Sequence, residues 1–209
     1  MPRVSDADQR MIEAAQAMLK HSSLSRMNIR EVAAKAKVNS GMFHYHFKTK
    51  ERFIRAVLQD IYEKFIKDFN LTIEGEKTSL EKLRQALFIM AKFTRDNRQL
   101  FLSMMQDVLE KNTVVRDFVK DNFKRHGLVI MKLVNECQKE GTIEKRSKYQ
   151  VMSFIMTSVN FTSFMLGVVE NVEASAFQKG MLKGASFLLL SDDALRERVG
   201  MTLRGLGAK

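Results

Sequence analysis

Residues 41–50 of the chain read GMFHYHFKTK. Two histidines flanking a tyrosine, with two lysines close behind, could hold a metal, move protons or lie against an anion. Geometry removes the metal. On a helix His44 and His46 point about 200° apart, whereas helical zinc ligands stand three or four residues apart. No HExxH or CxxC motif occurs in the chain. Catalysis finds no support either, because no Ser, Cys or carboxylate stands nearby with a histidine and an orienting partner. No catalytic residue, metal ligand or cofactor is assigned, and the chain is not read as an enzyme. A surface that faces an anion remains.

The elements around the motif give that surface a shape. The stretch IREVAAKAKVNSGMFHYHF reads as a helix, the connection AKVN and a second short helix. Ile29, Val32, Ala33, Val38, Phe43 and Phe47 would share a small core, and small Ala33 permits a close crossing. That is helix-turn-helix spacing. With Phe43 and Phe47 inward, Gly41 and Tyr45 point outward and Met42 and His44 flank them. A bare glycine lets a backbone approach closely, a tyrosine offers apolar area with a hydroxyl, and a methionine can lie on a thymine methyl. Lys48 and Lys50 stand at the start of the next helix, where a cation opposes the dipole, a local cost that contact with phosphates would explain. His46 sits part-way inward, and packing and surface roles both stay open. Lys35 and Lys37 read as solvated.

The rest of the chain is expected to be helical throughout. Its one proline is Pro2, and turn residues are sparse. Ser5 precedes the first helix, with Asp6 and Asp8 in its first turn. Asn28 with Glu31, Asn39, Thr49, Thr78 with Glu81, Ser147 with Gln150, and Ser191 mark further helix starts. Gly75 lies in a polar break, Gly141 ends a long helix that starts near Thr113, and another helix covers about 174–190. The expected architecture is all-α: an N-terminal three-helix helix-turn-helix domain over 1–50 (motif about 28–47), a connecting helix from about 50, and a larger helical bundle over 51–209.

Charge agrees with an anionic partner. The net charge is +11, and the first 50 residues hold nine Lys/Arg against four Asp/Glu. The single cysteine, Cys137, excludes an intrachain disulfide and fits a reducing cytoplasm. No apolar leader is visible at the N-terminus. Residues 151–169 carry no charge over 19 positions, near the length of a membrane span. Ser, Thr and Asn spread along them favour a helix covered by protein instead.

The stretch NIREVAAKAKVNSGMFHYHFKTKERFIRAV resembles the DNA-binding motif of the TetR (tetracycline-repressor-like) family of bacterial transcription regulators, over about residues 8–60. The resemblance implies that Ser40 to Phe47 is the recognition helix, and that Arg30 and the start of the helix capped by Asn28 face the major groove. It places His44 where the family has a phosphate-binding tyrosine and Lys50 at its phosphate-binding lysine. The expected DNA-binding set is Asn28, Arg30, Ser40, Gly41, Met42, His44, Tyr45, Lys48 and Lys50. The family's turn glycine is Lys37 here, which implies a lysine at positive φ at a cost of roughly 1 kcal/mol.

Beyond residue 80 the chain is rich in Phe and Met, which suits a cavity for a flexible apolar ligand. The residues assigned to it are Phe88, Phe101, Met104, Met105, Phe123, His126, Met156 and Asn160. The uncharged 151–169 helix carries two apolar stripes, Val151–Ile155–Val159–Leu166 and Phe154–Phe161–Met165–Val168. One can face its own domain and the other a partner; Val151, Ile155, Val159 and Leu166 are assigned to the dimer. The resemblance implies a four-helix dimer interface near the C-terminus. The resulting expectation is a cytoplasmic homodimeric repressor, released from a palindromic double-stranded DNA operator by an apolar small-molecule effector, with no membrane partner. A ligand-independent or activating DNA-binding regulator and a helical carrier of lipophilic molecules are the alternatives.

Overall fold

A computed structural model of the chain describes residues 6–19, 24, 26–75, 77–172 and 176–208, with the side chains at 176–179 and 183 left aside. Ten helices run through these residues and no strand is found among them. They are α1 (Asp6–Leu19), α2 (Ile29–Ala36), α3 (Ser40–His46), α4 (Lys50–Ile73), α5 (Ser79–Asp96), α6 (Arg98–Leu109), α7 (Thr113–Glu140), α8 (Lys148–Val169), α9 (Ala176–Leu190) and α10 (Asp192–Gly205). Ser5 and the start of the helix expected at residue 174 lie outside the described residues.

Several helix starts follow from their caps. Asn28 and Asn39 accept from the amides of Arg30 and Gly41 at 3.0 and 2.8 Å. Thr78 and Glu81 form a full capping box, each side chain accepting from the other's backbone N–H. Ser191 accepts from the Ala194 amide at 3.2 Å. Ser147 departs from its expected role: it stands at the N-cap of α8 and makes no side-chain cap bond. Gly141 closes α7 at φ 73°, a left-handed conformation that glycine adopts without a Cβ clash.

The chain forms two compact units. The first comprises Met1–Phe65 with Gln99–Phe123, the second Ile66–Arg98 with Lys124–Lys209. These units do not divide the chain at residue 50. α6 and the first part of α7 belong with the N-terminal helices, and α4 and α7 each supply residues to both units. One tie inside the first unit shows why: Ser103 of α6, itself buried, accepts from the Leu24 amide at 2.8 Å. A buried N–H that lacks a helical partner needs such an acceptor.

In the first unit Met11, Ala15, Val32, Ala33, Phe43, Phe53, Val57 and Tyr62 are closed off from solvent. In the second unit α8 packs against α5 and α10 through Val151, Ile155 and Val159, at most 1% exposed. Three of the four residues assigned to the dimer therefore belong to their own unit's core, and Leu166 is half-buried. The outward stripe is the other one, with Phe154 42%, Phe161 57% and Met165 39% exposed. By length and composition α8 could cross a membrane, yet one face of it is core.

Candidate nucleic-acid interface

The helix-turn-helix is assembled around three rings. Phe43 of α3, Phe47 after it and Phe53 of α4 meet with centroids 4.7–5.8 Å apart, the two Phe53 contacts edge-on, an arrangement aromatic quadrupoles favour. Val32, Ala33 and Ala36 of α2 are also buried. This anchoring fixes which side of α3 is presented. Ser40, Gly41, Met42, His44 and Tyr45 are exposed, and Tyr45 is the most open at 78%.

The flanks carry cations. Asn28 and Arg30 are exposed at the start of α2, Lys48 is exposed just before α4, and Lys50 is half-buried at its first position. Arg52, which is not in the expected DNA-binding set, is also exposed on the first turn of α4. Thr49 caps that turn, its hydroxyl accepting from the Arg52 amide at 3.2 Å.

The backbone is held in two uncommon conformations here. Lys37 closes α2 at φ 54°, ψ 44°, with its N–H donating to the Ala33 and Ala34 carbonyls. The left-handed lysine that the missing turn glycine implied is therefore present. Lys48 adopts φ 63° between α3 and α4, which nothing in the sequence signalled.

His46 resolves inward. Its Nδ1 lies 2.8 Å from Asp8 Oδ1 on α1, and the two side chains are only 13% and 16% exposed. Further back in the same unit, α4 is braced against α7. The Gln59 and Asn122 amides pair reciprocally at 3.1 and 3.2 Å, and the Tyr62 hydroxyl donates to the Asn122 carbonyl at 2.5 Å. Asp107 of α6 is buried, which pushes its carboxyl above the usual range; the Asn112 amide, donating at 3.1 Å, and the charge of Lys50 act against that rise.

The residues expected to hold a ligand divide between the units. Phe101, Met104, Met105 and Phe123 fall in the first, where the Phe101 and Phe123 rings stand 6.2 Å apart. Met105 is 45% exposed. Phe88, His126, Met156 and Asn160 fall in the second. There the Arg196 guanidinium covers the Phe88 ring at 4.0 Å. Asn160 accepts from the Thr94 hydroxyl at 2.9 Å and donates to the Met156 carbonyl at 3.2 Å. The His126 ring stands edge-on to Phe69 at 6.4 Å, and burial pushes its pKa down to about 4. Among the described residues no group of three or more His, Cys, Asp or Glu could hold a metal ion.

A short helix with an exposed aromatic face, cations on both flanks and a packed helix behind it defines a helix-turn-helix DNA-binding protein. Residues 11–57 match the model of the family described as bacterial regulatory proteins, tetR family. The chain is 24% identical over 140 residues to "Probable HTH-type transcriptional regulator YttP" of Bacillus subtilis (strain 168), covering 66% of this chain and 67% of that one. It is 23% identical over 134 residues to the HTH-type transcriptional repressor KstR2 of Mycolicibacterium smegmatis, covering 63% and 65%. Residues 11–57 therefore resemble the DNA-binding region of the tetR family, and the relatives the chain matches over about two thirds of its length are named as transcriptional regulators. Solved structures extend the likeness in fold to nearly the whole chain. A Saccharomonospora viridis protein in complex with choline superposes with a TM-score of 0.73 at 16% identity, covering 95% of both chains. The fatty acid degradation regulator FadR from Bacillus halodurans gives 0.70 at 15%, covering 99% of this chain and 100% of that one.

Proposed function

We propose that the protein is a cytoplasmic homodimeric repressor that binds a palindromic operator through α3 and is released by an apolar small molecule. The observation that carries the DNA-reading part is the exposed Ser40–Tyr45 face with Arg30, Lys48 and Lys50 around it. Tyr45, Met42, Gly41 and Ser40 meet base edges, whereas Asn28, His44, Lys48, Lys50 and Arg52 meet phosphates, which position the helix without reading sequence.

The dimer rests on the outward side of α8 and α9. Phe154, Phe161 and Met165 on α8, with Met181, Phe187 and Leu188 on α9, are 39–77% exposed. Large apolar side chains gathered on two helices of one unit mark an interaction surface, and a two-fold copy would present two recognition helices to one duplex. The effector reading rests on the Phe and Met content of α5 to α8 and on two likenesses, to a regulator of fatty acid degradation and to the repressor KstR2. His126, neutral at physiological pH, would offer such a ligand a hydrogen bond and no charge.

The test is selection of tight-binding duplexes from a random-sequence pool with the full chain, followed by mobility shifts with the selected duplex in the presence of long-chain fatty acids, their thioesters and sterols. Enrichment of a palindrome and its release by one of these classes are expected. Enrichment of single half-sites would overturn the dimer, and release by none of the three classes would overturn the effector class.

A further inference from the structure

Asp8 and His46 lie behind the exposed face of α3. Asp8 stands in the first turn of α1 and His46 at the last position of α3, with Oδ1 and Nδ1 2.8 Å apart. His46 Nε2 is buried without a hydrogen-bond partner. Nδ1 is the nitrogen that faces Asp8; Oδ1 is buried too, and the two atoms meet as a close polar contact rather than an aligned hydrogen bond. Neither side chain is open enough to touch a duplex laid on α3. The pair does reach the reading surface indirectly: the Tyr45 ring stands at 86° to the His46 ring with centroids 5.0 Å apart. At 78% exposure Tyr45 has little else to fix its direction.

We infer that Asp8 and His46 are positioning residues for sequence reading: Asp8 holds the His46 ring, the ring holds Tyr45, and the pair sets which base edges Tyr45 reaches. Phe43 and Phe47 fix which side of α3 faces out, but both act from the core side of the helix. The Asp8–His46 contact adds a tie from α1 to the last turn of α3, where a small rotation swings Tyr45 most. Direct base contacts depend on hydrogen-bond and methyl geometry, so a misdirected tyrosine loses discrimination before it loses general affinity. The assignment rests on the reading of Tyr45 as a base-contacting residue.

The experiment compares affinity for the tightest duplex selected by the unaltered chain with affinity for its scrambled counterpart. Asp8→Ala should lower that ratio roughly tenfold, within the discrimination one good base contact supplies, while binding to scrambled DNA stays within about twofold. Asp8→Asn keeps a polar side chain of the same size beside Nδ1 and should restore most of the ratio. In a Tyr45→Ala background Asp8→Ala should change the ratio no further, a non-additivity that general loosening of α1 would not produce. Thermal melts of each variant identify any loss of folding, and His46→Gln, which leaves α1 untouched, should repeat the Asp8→Ala result. If Asp8→Ala weakens both duplexes equally, or adds fully to Tyr45→Ala, the pair only stabilises the fold and the inference is overturned. A Tyr45→Ala chain with an unaltered ratio removes the base-reading assignment and this inference together. An inert Asp8→Ala beside a large Tyr45→Ala effect removes this inference alone.

Discussion

His126 makes a stability prediction whose sign and size both follow from burial. Its imidazole, edge-on to the fully buried Phe69, takes up a proton in the folded chain only near pH 4, because burial disfavours the charged ring. An unfolded histidine does so near 6.5. The folded pKa is the lower one, so the unfolded chain binds more protons between the two values and stability falls as pH drops from about 6.5 toward about 4. At roughly 1.4 kcal/mol per pH unit the loss reaches about 3 kcal/mol, a large part of the 5–15 kcal/mol typical of a folded protein. The assay is urea unfolding at fixed protein concentration from pH 7.5 to 4.5, for the unaltered chain and for His126→Leu. Carboxylates contribute to both curves, so the difference between them isolates the histidine. The gap should be flat above pH 7 and should move by most of that amount by pH 4.5, in favour of the variant. In histidine proton spectra the resonance missing from His126→Leu should be the one that titrates near pH 4. Parallel stability curves for the two chains across this range would refute the argument.

Lys37→Gly removes the left-handed Cβ clash at φ 54°, worth about 1–2 kcal/mol, against roughly 0.5–1 kcal/mol of added backbone entropy in the unfolded chain. The melting temperature should rise by about 1–2 °C, and a fall would show that the lysine side chain holds the turn. Phe161→Asp, at a position 57% exposed, should leave the helical spectrum intact and yield a species of 24.1 kDa in sedimentation where the unaltered chain gives twice that mass. Val159→Asp, at 0% exposure, should instead unfold the second unit, since an unpaired charge has no solvent or partner there. Lys50→Ala should weaken binding to operator and scrambled DNA alike and flatten the slope of log affinity against log salt by about one unit, whereas Tyr45→Ala should cost about 1–3 kcal/mol on the operator and leave the slope unchanged. Equal losses on the two duplexes for Tyr45→Ala would show that it reads no bases.

The exposed face of α3 was legible because its determinants are local. Phe43 and Phe47 are four apart, both must be buried, and that alone turns Gly41 and Tyr45 outward. Asn28, Asn39, Thr78 and Ser191 announced their helices for the same reason, since a cap acts within three residues. What depended on distant partners was not legible. The side chain that holds His46 is Asp8, on another helix, and nothing near His46 in sequence points to it. The two stripes of α8 are equally apolar and both uncharged, so the sequence offers no ground for choosing between them. The choice falls to α5 and α10, which cover Val151, Ile155 and Val159. Lys48 adopts φ 63° to turn the chain from α3 into α4, although its sequence context, FKTK, contains no turn residue that signals it.

The domain boundary is the sharpest of these differences, and it has a direct physical consequence. A chain cut after residue 50 keeps α1 to α3 and loses Phe53, Val57 and Tyr62, which are 0–2% exposed in the first unit, together with Ser103, which accepts from the Leu24 amide. Phe43 and Phe47 would each lose their edge-on contact with Phe53. Burying one such side chain is worth roughly 1.5–3 kcal/mol, so losing three removes about as much as a small domain has in reserve. A chain of about 50 residues already buries too small a share of its surface to hold a fold with ease. The isolated 1–50 peptide should therefore show weak helicity in circular dichroism, a non-cooperative thermal melt, and no preference between a selected duplex and a scrambled one. A cooperative melt with retained selectivity would show instead that three helices suffice, and that α4 and α6 add stability to a DNA-binding unit that does not require them.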